Sequence, residues 1–169
     1  MPNKNDLRFI KTEKLIRDTY LALKLKSHAP VKVNKLCETA LINKTTFYTH
    51  YDTIEALHES VCKDTIEKML DETPNIDLAF FDTRLFVSSL VQMLQANKGF
   101  LINLFDGNQE QQINLIENSL MMRHLKKGDL KDREMEIIFA IGGAARLLVT
   151  EQSPERVEKV IQLIQKVMQ

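Results

Sequence analysis

Apolar residues recur at three- and four-residue spacing along almost the whole chain, and the residues that break such a pattern are scarce. Glycine occurs 5 times and proline 4 times in 169 residues, and tryptophan is absent. Folds built from strands and turns spend more of both on their turns. The chain therefore reads as all-α. Apolar residues make up 44% and charged residues 27%, which allows a sizeable core and excludes a disordered chain. Two cysteines, Cys37 and Cys62, form no disulfide framework and suit a reducing compartment. The stretch Met1 to Asp6 lacks the apolar core of a signal peptide, and the longest apolar run, Ile137 to Ala145, is too short to span a bilayer. The expected location is the cytoplasm.

The periodicity predicts a first helix over about 6–26, with Ile16, Tyr20 and Leu23 on one face, and a break at Ser27-His28-Ala29-Pro30. A short helix follows, carrying Val33, Leu36, Cys37 and Ala40, and then a shorter one in which Phe47 and Tyr51 share a face. A longer helix begins near Thr53 and stops at Thr73-Pro74-Asn75, the best domain boundary, because proline cannot continue a helix. Further helices are expected over 77–96, ending at Asn97-Lys98-Gly99, over 100–105, over 109–127 with a stop at Gly128, and over 131–151. Ser153-Pro154-Glu155 then reads as a helix start, and Val157, Val160, Ile161, Ile164 and Met168 mark the apolar face of the last helix.

Zero net charge hides an asymmetry. Residues 1–50 hold ten Lys or Arg and four acids, a net +6, against −6 for the remainder. Either a polyanion binds at the positive end, or the charges are only solvated helix faces.

Residues 31–61 carry the most information. A helix-turn-helix needs two short helices joined by a tight turn, with apolar residues fixing the crossing and polar ones free on the second helix. Val33, Leu36, Cys37 and Ala40 can bury the first helix, Ile42 plugs the turn, and Asn43 can cap the second. Phe47 and Tyr51 point inward, which leaves Lys44, Thr45, Thr46, Tyr48, Thr49 and His50 mostly outward. Short donors and acceptors, a cation and a phenol suit a major groove. No acid between Leu41 and Tyr51 repels phosphate.

The run Thr39-Ala40-Leu41-Ile42-Asn43-Lys44-Thr45-Thr46-Phe47-Tyr48-Thr49-His50-Tyr51, followed by Glu55-Ala56-Leu57, resembles the DNA-binding region of TetR/AcrR-family transcriptional regulators. So does Lys11-Thr12-Glu13-Lys14-Leu15-Ile16, and Phe47-Tyr48-x-His50-Tyr51 is the most specific part. The likeness covers about residues 7–62, and with Val33 to Glu38 it looks most like the short branch that includes dihydroxyacetone-kinase operon regulators. It implies that Lys44, Thr45, Thr46, Tyr48 and His50 face DNA, with Asn34 reaching phosphate from the preceding helix. Two positions depart from the family: Leu41 stands where glycine is usual, and Ile54 where a phosphate-binding lysine is usual.

Outside this segment the signals are weaker. His58 and Cys62, spaced i and i+4, are half of a metal site, or a packed thiol beside a surface imidazole. No metal or other cofactor is expected. Cys37 reads as an inert core thiol. No phosphate loop, nucleophile elbow or zinc-binding HExxH stands in the chain, which argues against an enzyme. Phe86, Met93, Phe100, Phe105, Met121 and Met122 belong either to the core or, as the resemblance implies, to an effector pocket. Gly142 and Gly143 inside an apolar helix imply a close helix approach, within the chain or between subunits. The resemblance favours a homodimer interface including Gly142, Gly143, Arg146, Val157, Ile161 and Ile164.

The expected architecture is an N-terminal helix-turn-helix domain (1–52), a connecting helix (53–73) and a C-terminal dimerisation and effector domain (74–169). The expected function is transcriptional regulation, as a repressor bound as a homodimer to a pseudo-palindromic operator in double-stranded DNA and answering to a small-molecule effector. A helix-turn-helix-derived protein-interaction module is the first alternative and a small helical enzyme the second.

Overall fold

The computed structural model describes residues 6–27, 29–125 and 133–167. Among these, every regular element is a helix, so the fold is all-α. Lys4, His28, Gly128, the expected helix start at 131 and Met168 lie outside the described residues.

The chain divides into two compact units, Met1–Asp64 and Thr65–Gln169. The first unit contains α1 (Leu7–Lys26), α2 (Val33–Ala40), α3 (Lys44–His50) and the start of α4 (Ile54–Glu72). Asp6 caps α1 by accepting from the Arg8 N–H. Ile16 and Tyr20 of α1, Leu36, Cys37 and Ala40 of α2, Phe47 of α3, and Leu57, Val61 and Cys62 of α4 are buried. These are the apolar positions that the 3.6-residue period places on one side of each helix.

The division falls inside α4 rather than at Thr73-Pro74. The early part of α4 is tied to α1 by polar bonds, from Tyr20 to His58 and from Arg17 to Ser60 and Asp64, so it belongs with the first unit. The proline does end the helix, as its backbone chemistry requires.

The second unit contains the rest of α4, then α5 (Thr83–Ala96), α6 (Lys98–Leu104), α7 (Gln109–Leu125), α8 (Glu134–Thr150) and α9 (Pro154–Val167). Helix α8 packs between α7 and α9, and α9 also packs on α5. Two expectations fail here. Helix α5 begins at Thr83, not near 77, because Asp82 caps it and Leu78, Phe81 and Asp82 close successive turns after Asn75, whose φ is +58°. Gly99 lies inside α6 rather than closing α5, and Asn97 ends α5 by donating from its side-chain amide to the Met93 carbonyl.

The expected effector-pocket residues are mostly packing. Phe86, Met93 and Phe105 are buried, Phe100 and Met121 are half-buried, and Met122 is exposed. Met93 borders a surface hollow of about 310 Å³, beside Thr73 and Ser89. Phe86 instead presents an edge to the buried His124, as does Phe80, while His124 Nδ1 donates to the Leu120 carbonyl at 2.8 Å.

Candidate nucleic-acid interface

The turn between α2 and α3 is built by three residues. Leu41 takes the left-handed conformation, φ +54° and ψ +40°, and its N–H closes α2. Ile42 N–H donates back to the Cys37 carbonyl at 3.0 Å, and Asn43 starts α3 by accepting the Thr46 N–H at 2.7 Å. The Thr46 hydroxyl donates to the same Asn43 oxygen at 2.9 Å. Thr46, half-buried, is thus part of the cap that fixes the start of α3.

The remaining outward positions are polar and exposed. Asn34 on α2 and Lys44, Thr45, Tyr48 and Thr49 on α3 are exposed, while Phe47 beneath them is completely buried. Tyr48 is 53% exposed, and its ring meets that of Phe47 edge-on at 5.2 Å, which limits its swing. The Thr49 hydroxyl is occupied by the Thr45 carbonyl.

His50 departs from the expected outward placement. Its ring stacks on Phe9 of α1 with centroids 3.9 Å apart, and its Nδ1 is buried without a hydrogen-bond partner. Tyr48 and His50 point in directions about 200° apart on a helix, so one faces out while the other turns toward α1. Burial pushes the His50 imidazole below its usual range, opposed in part by the Glu13 carboxylate.

Arg17, which charge and periodicity did not single out, is the hub of this unit. Its guanidinium donates to the Tyr51 hydroxyl (3.1 Å), to the Ser60 hydroxyl (2.6 Å) and carbonyl (3.1 Å), and to Asp64 (2.5 Å). Tyr51 in turn donates to Glu13 at 3.1 Å. One side chain therefore ties α1 to the end of α3 and to α4. Burial pushes the Tyr51 phenol up despite the Arg17 contact. The signal in the sequence was a tyrosine hydroxyl on a core-facing position, which needs a partner when buried.

Of the basic residues behind the +6, some are committed internally. Lys24 is buried and Arg17 is engaged as above, while Lys14 pairs with Asp18 on the surface. Arg8, Lys11, Lys26, Lys32, Lys35 and Lys44 are exposed. Ile54, half-buried at the start of α4, supplies no cation.

The other candidates are resolved by packing. Cys62 is fully buried, and His58, half-buried rather than on the surface, has its Nδ1 at 2.9 Å from the Tyr20 hydroxyl. Among the described residues no group of three or more His, Cys, Asp or Glu could hold a metal ion. Cys37 is buried, and that burial pushes its thiol up, toward the unreactive protonated form.

In the second unit the two adjacent glycines have different surroundings. A Cβ on Gly142 would lie 2.9 Å from the Glu117 Oε1 of α7, the end of a flexible side chain within the same chain. Gly143 has open space before it and lines a groove of about 440 Å³ with Ile138, Phe139, Leu147 and Leu163. Phe139 is 73% exposed. Arg146, also on the groove, pairs with Glu110 at 3.1 Å, while Ile161 and Ile164 are buried within the chain and Val157 is half-buried.

Comparison with protein families, with curated proteins and with solved structures gave no match. Among the described residues no helix is long and apolar enough to cross a membrane.

Proposed function

We propose that this chain is a sequence-specific DNA-binding transcriptional regulator of the TetR type, acting as a homodimeric repressor in the cytoplasm without any chemical step of its own. The observation that carries the reading is the α2–turn–α3 unit. Its turn is closed by Ile42 and Asn43, its inner side is buried through Leu36 and Phe47, and its outer side presents Asn34, Lys44, Thr45 and Tyr48 with no acid among residues 41–51. Such a surface fits a major groove, where Tyr48 can meet a phosphate or a thymine methyl and Lys44 a guanine or a phosphate. The apolar groove beside Gly143, flanked by the 73% exposed Phe139, is the surface that supports self-association. A two-fold dimer presents two copies of α3 and reads a pseudo-palindrome.

The test is to select duplexes from a random-sequence pool with the protein and then to measure Tyr48→Ala on the recovered sequence. Binding should weaken by about 1–3 kcal/mol if Tyr48 meets a base, with an unchanged melting temperature. Unchanged binding, or binding lost only together with the fold, makes Tyr48 a structural residue and removes the reading. One observation favours the alternative of a protein-interaction module: Leu41, 92% exposed, puts a large apolar side chain at the tip of the turn. Failure to recover any enriched duplex favours that alternative.

A further inference from the structure

His50 ends the helix that the proposed function turns toward DNA, yet its ring is folded against α1. The stack on Phe9 is close, 3.9 Å between centroids and 29° between planes, and it covers Nδ1 so that this atom has no hydrogen-bond partner. A protonated imidazole carries a donor on each nitrogen, and burying a charged N–H without an acceptor is far costlier than burying a neutral nitrogen's lone pair. The Phe9 face offers no such acceptor.

None of the charged groups around this end of α3 reaches Nδ1 as a hydrogen-bond partner. From α1 they are Glu13 and Arg17. Glu13 already accepts from the Tyr51 hydroxyl, and Arg17 holds Tyr51, Ser60 and Asp64. Asp64 of α4 is bound by Arg17. From α3 itself, Lys44 stands at the opposite end of the helix. Desolvation is accordingly the leading influence on the ring and favours its neutral form, with Glu13 opposing it.

We propose that Phe9 is a positioning residue that parks the His50 ring uncharged against α1, so that engaging a DNA phosphate draws one proton from solvent onto the ring. The proposal rests on reading α3 as the DNA-facing helix. A phosphate stabilises the imidazolium, so the complex holds this proton more tightly than the free protein does. Affinity for DNA therefore rises as pH falls, by up to about tenfold per pH unit for one proton, between the pH at which the bound ring titrates and the lower pH at which the free ring titrates. Above and below that window His50 contributes no pH dependence.

The experiment uses the full chain and a duplex recovered by it from a random-sequence pool. Binding is measured at about pH 6 and about pH 8, on either side of the ordinary histidine range. The proteins are the parent, Phe9→Ala, Phe9→Leu and His50→Gln, and the His50 ring is titrated by NMR in the free proteins that retain it. The parent should bind several-fold more tightly at the lower pH, and His50→Gln should lose that difference. Phe9→Ala should show a smaller difference, because its free ring, opened to water, titrates at higher pH than the parent's. Phe9→Leu, which keeps an apolar contact and fold but no stacked ring, should fall between. Equal pH dependence in the parent and both Phe9 variants overturns the proposal. So does an NMR titration that moves to lower pH on removing Phe9, which would mean the aromatic face stabilises the cation. Binding without any His50-dependent pH effect defeats this inference alone, whereas absence of duplex binding by the parent at either pH defeats the proposed function and this inference with it.

Discussion

Leu41 is the residue at which sequence and backbone disagree most. Its φ of +54° crowds a Cβ against the following carbonyl, at a cost of about 1–2 kcal/mol that glycine avoids. Being 92% exposed, the leucine side chain recovers almost nothing by packing in the free chain. Leu41→Gly should therefore raise stability, by about 1 kcal/mol once the greater freedom of glycine in the unfolded chain is set against the relieved strain. Thermal unfolding with an unchanged or lower midpoint would show that the strain is absorbed elsewhere. The left-handed need of this position was signalled only through the resemblance, in which glycine is usual where Leu41 stands. The inward turn of His50 was not legible, because nothing local to Thr49-His50-Tyr51 announces that Phe9, forty-one positions earlier, will lie flat against the ring.

Among the elements, α3 is held less by its own seven residues than by Arg17. An isolated helix this short is unstable in water, so its persistence depends on what clamps its ends. Arg17→Met keeps the aliphatic stem but removes the bonds to Tyr51, Ser60 and Asp64, and should cost about 1–3 kcal/mol by urea denaturation. Asp64→Asn should cost less than about 1 kcal/mol, since that carboxylate is mostly exposed. Equal losses would mean the ion pair, not the buried branch of the network, holds the helices. The starts of α1, α3 and α9 were readable to within a residue because start signals and apolar period agree at Asp6, Asn43 and Pro154. The start of α5 was misread because Ile76 and Ala79, both buried, keep a helical spacing across a stretch of turns. Gly99 misled for the opposite reason: a glycine in the first turn of α6 imitates one that closes α5.

At the scale of the whole molecule, two expectations concern assembly and charge. Gly143→Leu should fill the groove beside Phe139 and Leu163 and shift a dimer toward monomer, read by sedimentation. An unchanged dimer would place the self-association surface elsewhere, and a parent protein that is already monomeric at micromolar concentration would remove it. DNA affinity should fall steeply with salt, each neutralised phosphate contributing about −0.9 to the slope of log affinity against log salt. Lys44→Met should flatten that slope by about one, whereas a flat dependence in the parent would mean that the exposed cations are only a solvated face. The charge asymmetry was visible in the sequence. Which cations remain available was not, because burial of Lys24 and the commitment of Arg17 depend on the tertiary packing.

The placement of the aromatic hydroxyls has an optical consequence. The chain has no tryptophan and 3 tyrosines, and Tyr20, Tyr48 and Tyr51 all fall within the first unit. Tyrosine emission from the intact protein therefore originates wholly in the first unit. Tyr20 and Tyr51 are buried and hydrogen-bonded, whereas Tyr48 meets the solvent. A soluble collisional quencher reaches one fluorophore in three, and that fluorophore sits on the surface proposed to bind DNA. The native chain thus carries its own site-specific probe and needs no attached dye.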